Sequence, residues 1–228
     1  MPVDDDVVAR TLPYLLPVYQ AFIKILRATG ARPSEICRMK ISDIDRTDPK
    51  IWVYRLKNHK TMRYHKRRVL AFGVKEQAIL LPYLDKKDPD SAVFTPLDAV
   101  SELKKVRRDA RKTPIPPSQK ARDRQRKQHP RIKEQLNTIS VGKVLKAAIL
   151  KANKQLPPDQ QIPRWTLYQL RHAFLTQMTE IHGEDTAALL GGHSDTRMLR
   201  ETYDHSQISR IIQLKRQEDE RGEERATG

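Results

Sequence analysis

With 228 residues the chain is long enough to bury a core without cross-links, and one compact domain is the expectation. It carries 44 Lys and Arg against 28 Asp and Glu, a formal charge of +16, with a mean hydropathy of −0.71 and a pI of ≈ 10.0, which points to a polyanionic partner, nucleic acid before any other. The longest apolar runs, such as AAIL at 147–150, fall far short of the ~18 residues of a spanning helix, and MPVDDDVVAR lacks a leader pattern; no membrane is expected as a partner, and a cytoplasmic, nucleoid-associated location is.

Along the chain, TLPYLLPVYQAFIKILRATG at 11–30 has Leu15, Val18, Phe22, Ile25 and Leu26 at the spacing of a helix with one buried face, and Gly30 is placed to end it. In RPSEICRMK, Pro33 sits at a first helical position with Arg32 just before it and Ile36 and Met39 inward. The single Cys37 cannot form an internal disulfide or a zinc knuckle, and its neighbours give it a small buried apolar role. IWVYRL at 51–56 and RRVLAF at 67–72 predict two antiparallel strands joined by a long basic hairpin. VKEQAILLPYL predicts a helix, DKKDPDSAVF a turn and a short extended piece, and VSELKKVRRDARK another helix.

That helix runs into residues 101–140, which hold thirteen Lys or Arg and four Asp or Glu, net +9 of the total charge. The basic run KARDRQRKQHPRIKEQ, after the rigid break TPIPPSQ, reads as a phosphate-contacting insertion in preference to a solvated or disordered one; Arg122, Arg124, Arg126 and Lys127 are its candidate nucleic-acid-binding residues. Further helices are predicted at roughly 140–154, 167–182, 184–191 and 195–203, with a charged tail helix from about 206 to 219. The fold class expected is α+β, mostly α-helical with a small antiparallel β-sheet. In WTLYQLRHAFLTQM, Leu170, Phe174 and Met178 face the core, while Tyr168, Arg171 and His172 fall together on another face. Taken alone, that trio reads equally well as a polar cluster between helices holding a carboxylate.

Five pieces occur in order: TG before RPSEI, a hairpin lysine in HKT, YQLRH, GGHSDTRM, and a tyrosine ten residues after that histidine. Each is weak alone, but as an ordered set they resemble the catalytic domain of the tyrosine recombinase, or phage integrase, family, over nearly all of residues 12–206. The resemblance implies the catalytic-domain fold of that family. It assigns the arginine of the TG-x-R-x-x-E motif to Arg32 with its acid at Glu35, the hairpin lysine to Lys60, the H-x-x-R-H element to Tyr168, Arg171 and His172, the glycine-histidine to His193 and the nucleophile to Tyr203. The basic insertion resembles one found in a subset of bacterial members, in keeping with a mobile genetic element.

These residue types suit the implied chemistry. Attack of a tyrosine oxygen on a phosphodiester builds negative charge on the non-bridging oxygens, and guanidinium forks at Arg32 and Arg171 can hold it. Lys60 is the candidate general acid, with Lys57 and Lys66 as substitutes that also contact DNA. Tyr203, with an ordinary phenol pKa near ~10, needs positive charge or a base beside it, and His193 and His172 are at hand. The 3′-phosphotyrosine link keeps the bond energy, so neither metal nor cofactor is expected. Two departures stand out. Tyr168 occupies a position where the family most often has histidine. Only about ten residues precede the first catalytic-domain helix, so a fragment of a longer protein is expected: 1–11 as a linker remnant, 12–206 as the catalytic domain and 207–228 as a tail helix and disordered end. Double-stranded DNA is the expected partner, with a homo-oligomer, a tetramer, on DNA and a monomer when free. A type IB topoisomerase-like enzyme and a non-catalytic DNA-binding regulator are the rivals. The tail's apolar stripe of Ile208, Ile211, Ile212 and Leu214 fits equally a neighbouring protomer or its own domain.

Overall fold

The structure, a computed structural model, describes residues 1–56, 68–85, 88–114, 116–118, 122, 134–192 and 211–217. Its first helix, α1 (Asp5–Thr11), lies in the stretch expected as a linker, and Val3, Val7 and Val8 are buried in the main core. The helix expected over 11–30 is broken. A 3-10 turn at Leu12–Tyr14 precedes α2 (Pro17–Thr29), because Pro17 lacks an N–H and the residue before it, Leu16, is extended at ψ 152°. Trp165 Nε1 donates to the buried Thr11 Oγ1 at 3.1 Å, which ties the end of α1 to the chain entering a later helix.

α2 is the central rod of the molecule. Val18, Phe22 and Ile25 have no exposed surface, and burying a side chain the size of Phe22 contributes about 1.5–3 kcal/mol. Gly30 ends the helix at φ 59°, and a Cβ there would run into the Phe174 ring, so both the turn and the close approach require glycine. α3 (Pro33–Cys37) follows with Pro33 at its first position, and Ile36, Cys37 and Met39 are all buried.

Three antiparallel strands come next in the order β1 (Ile44–Asp45), β2 (Trp52–Leu56) and β3 (Arg68–Phe72), with Trp52 opposite Phe72 and Leu56 opposite Arg68. Side chains alternate across a strand, so Trp52, Tyr54, Leu56, Leu70 and Phe72 enter the main core together. The opposite face, with Val53, Val69 and Ala71, is covered by Ile211 of the helical residues 211–217 and by Leu189 and Leu190. The tail thus packs on its own domain at Ile211, held by ion pairs of Lys215 with Glu76 at 3.2 Å and Arg216 with Asp48 at 2.8 Å. Ile208 lies outside the described residues.

The remaining elements are α4 (Val74–Leu84), α5 (Pro96–Asp109), α6 (Thr138–Asn153), α7 (Leu167–His182) and α8 (Glu184–Gly191). α5 begins earlier than the basic sequence suggests, because Thr95 caps it by accepting from the Asp98 N–H at 3.2 Å and Pro96 opens its first turn. The helix expected at 195–203 lies outside the described residues. Among the described residues no helix is long and apolar enough to cross a membrane.

Candidate active site

Arg32 is the N-cap of α3, and its place is fixed by Glu35 one turn on. The Glu35 carboxylate accepts from the Arg32 backbone N–H at 2.8 Å through Oε2 and from Arg32 Nη1 at 2.9 Å through Oε1. The same Oε2 accepts from Arg68 Nε at 3.2 Å. The carboxylate is 4% exposed and the Arg68 side chain 5%, while Arg32 keeps 21%, so the buried acid offers the site a half-open cation. Burial pushes the Glu35 carboxyl up, but the Arg68 charge and the hydrogen bonds from Arg32 outweigh it and hold the group below its ordinary value.

Arg171 approaches from α7. The trio expected on one face of this helix differs in burial: Tyr168 and His172 are exposed, whereas Arg171 is buried. The cause is helical spacing, since Arg171 stands four residues from Leu167 and three from Phe174, both in the buried flank of the helix. Its guanidinium donates from Nη1 to the Gly30 carbonyl and from Nη2 to the Gly191 carbonyl, both at 2.6 Å. The two carbonyls terminate α2 and α8, so the ends of two helices set the plane of the fork. Desolvation, then the neighbouring charges of Arg68 and Arg32, lower its pKa to about 10, and it stays cationic at neutral pH.

Gly192 completes the enclosure. It follows α8 at φ 61°, and a Cβ at this position would collide with the Arg68 guanidinium, so the turn leading to His193 rests directly on that side chain. Among the described residues three guanidiniums and one carboxylate therefore converge from α3, β3 and α7, an excess of positive charge suited to an oxyanion. Arg32, Glu35 and Arg171 are anticipated by the sequence. Arg68 is not, although a readable signal exists: it shares strand parity with Leu70 and Phe72, which puts a charged side chain on a core-facing row.

The other anticipated residues divide in two. Tyr168 is 53% exposed near the start of α7, His172 is exposed four residues further on, and Arg122 is exposed. Lys57, Lys60, Lys66, Arg124, Arg126, Lys127, His193 and Tyr203 lie outside the described residues.

The model of the phage integrase family matches residues 15–210. The chain belongs to that family. No curated protein matches it by sequence. Among solved structures, the XerA recombinase is similar at 18% identity and TM-score 0.54, over 95% of this chain and 64% of that one. The Tn1549 transposon integrase, solved in complex with transposon right end DNA, is similar at 14% identity and TM-score 0.59, over 96% of this chain and 65% of the other. XerH site-specific recombinase bound to its difH substrate gives 14% identity and TM-score 0.51, over 92% and 53%. This phage integrase family chain therefore has the fold of tyrosine recombinase catalytic domains, and it spans slightly under two thirds of the length of the XerA chain it matches.

Proposed function

We propose that the chain is the catalytic domain of a site-specific DNA recombinase. The observation that carries this is the convergence of Arg32, Arg68 and Arg171 around the Glu35 carboxylate, a preorganised cluster of guanidiniums in a family whose model covers residues 15–210. Preorganised donors of this kind stabilise charge that develops on phosphate oxygens without reorganising during the reaction.

In the proposed step, Tyr203 Oη attacks the scissile phosphorus as its phenolic proton passes to His193 or His172. Arg32 and Arg171 stabilise the non-bridging oxygens, with Tyr168 adding a neutral donor, and Glu35 orients Arg32. The bond from phosphorus to the 5′-oxygen breaks, Lys60 protonates the leaving oxygen, and a 3′-phosphotyrosine remains. Attack by a 5′-hydroxyl on that phosphorus reverses each transfer and rejoins a strand, so no external energy source enters. Lys57, Lys66, Arg122, Arg124, Arg126 and Lys127 contact the duplex backbone. The reading extends to a bacterial mobile element, action in the cytoplasm on nucleoid DNA, and a homo-oligomer assembled on double-stranded DNA. Support comes from the charge of +16 and from the difH substrate and transposon-end DNA bound in two of the similar structures.

The test is incubation with a pool of nicked duplexes of randomised sequence, followed by recovery of covalent adducts on a denaturing gel. An adduct lost in Tyr203→Phe is the expected result. Binding without any adduct would favour a DNA-binding regulator, and supercoil relaxation without strand exchange would favour a topoisomerase-like enzyme.

A further inference from the structure

Arg68 is a charged residue on a core-facing strand row, and the proposed chemistry gives it no step. Its register opposite Leu56 puts it on the same side of β3 as Leu70 and Phe72, where an apolar residue would pack more cheaply. A buried ion pair contributes little net stability against an apolar replacement of similar volume, so stability alone is a weak reason for this pair. Its contacts suggest another. Nε donates to Glu35 Oε2, the oxygen that also accepts the Arg32 backbone N–H, and the guanidinium lies against the backbone of Gly192. Arg68 is also the first residue of β3, directly after the segment that contains Lys60. One side chain thus touches the acid that orients Arg32 and the turn that leads to His193, and it stands at the base of the segment bearing the general acid.

We propose that Arg68 is a positioning residue for strand cleavage: it locks Glu35, and through it the Arg32 fork, while setting the height of the Gly192 turn over the same cluster. This rests on the recombinase reading above. Arg68 need not touch the phosphate. Without it, Glu35 is held from one side only and can swing with Arg32, and small misplacements of a charge-stabilising group reduce rates by up to about 100-fold. Lysine at this position keeps the charge, but its single ammonium cannot reach Glu35 and fill the space beneath Gly192 at once.

The experiment measures single-turnover cleavage of a nicked duplex whose sequence comes from the adduct pool, with DNA affinity and thermal melting followed in parallel. Arg68→Met should slow cleavage by about 10- to 100-fold with affinity little changed, and Arg68→Lys should recover part of the rate. In a cycle with Glu35→Gln, the double variant should cleave no more slowly than the slower single variant, because both act on one fork. Should Arg68→Met alone not fold, Arg68→Lys, which keeps the buried charge beside Glu35, decides by the same rate, affinity and melting measurements. A wild-type rate in folded Arg68→Met or Arg68→Lys, or fully additive losses in the cycle, overturns the proposal and leaves Arg68 as a structural ion-pair partner. Absence of any adduct with the wild-type chain is a different failure, since it removes the recombinase reading and this proposal with it.

Discussion

Arg32, Arg68 and Arg171 lie mostly within the fold, each bonded to a carboxylate or to helix-terminal carbonyls. Lys104, Lys105, Arg107, Arg108, Arg111 and Lys112, along α5 and just beyond it, are all exposed. The two regions use the same cations for different ends. A guanidinium whose plane is set by two helix ends has lost its freedom before substrate arrives, so it can favour the transition state over the ground state. A solvated cation on a helix surface gains affinity chiefly by releasing counterions from the duplex, and that affinity is indifferent to which phosphate is reacting. Net charge alone does not separate the two, but burial with defined partners does.

The sharpest way to break this contrast is at the proposed nucleophile. Tyr203→Phe should abolish the covalent adduct and leave DNA binding nearly unchanged, because one oxygen is lost and no cation; an adduct at the normal level would remove Tyr203 from the site. Arg171→Ala and Arg32→Ala should each cut single-turnover cleavage by on the order of 100-fold or more, again with modest loss of affinity. An unchanged rate in either would place these arginines in the structural category of the fold.

The basic run after TPIPPSQ predicts the opposite pattern. Replacing Arg122, Arg124, Arg126 and Lys127 with Ala should flatten the dependence of log affinity on log salt by up to about 3–4 units, roughly 0.9 for each phosphate that is no longer neutralised. A slope as steep as before would mean that this run touches no phosphate.

Glu35 offers a pH test of the buried region. Its carboxyl is held below its ordinary value of 4.5, so the folded state binds its proton more weakly than the unfolded chain. The stability it contributes is present above the unfolded value and is lost as pH falls through the lowered one. Glu35→Gln should therefore reduce the acid-side slope of thermal stability, measured by melting from neutral pH downwards. An unaltered acid limb would mean that the pairing with Arg32 and Arg68 does not stabilise the charged form.

The regions differ as much in how far the sequence reveals them. The start of α3 is legible because Pro33 announces a first helical position, Arg32 and Glu35 are legible as site residues only through the family's motif, and α7 is legible because its apolar residues repeat at helical spacing. The burial of Arg171 is not, since periodicity finds the centre of an apolar face but not how wide a flank the neighbouring helices cover. Arg68 needs strand register, which sets which row of β3 turns inward, and Gly192 needs the position of that side chain. The break before α2 is written in Pro13 and Pro17, yet the apolar spacing across them imitates one continuous helix. α1 is seven residues long, and its few valines give too short a pattern to stand out beside an acidic start.

Tyr168 lies on the boundary between the two kinds of region, and it carries the smallest expected effect. It is 53% exposed, yet it stands three residues before the buried Arg171 on α7, close enough for its phenol to act electrostatically on that guanidinium. If the phenol donates to a non-bridging oxygen, Tyr168→Phe removes one neutral hydrogen bond worth ~0.5–1.5 kcal/mol net and slows cleavage about two- to tenfold. Tyr168→His should restore or raise the rate, and more clearly below pH ~6.5, where an unperturbed imidazole is charged and adds a cation beside the phosphate. The measurement is single-turnover cleavage by the three forms across neutral and mildly acid pH. Full activity in the Phe variant with loss in the His variant would put Tyr168 among the exposed residues that take no part in cleavage, and the charge on the phosphate would then rest on the buried arginines.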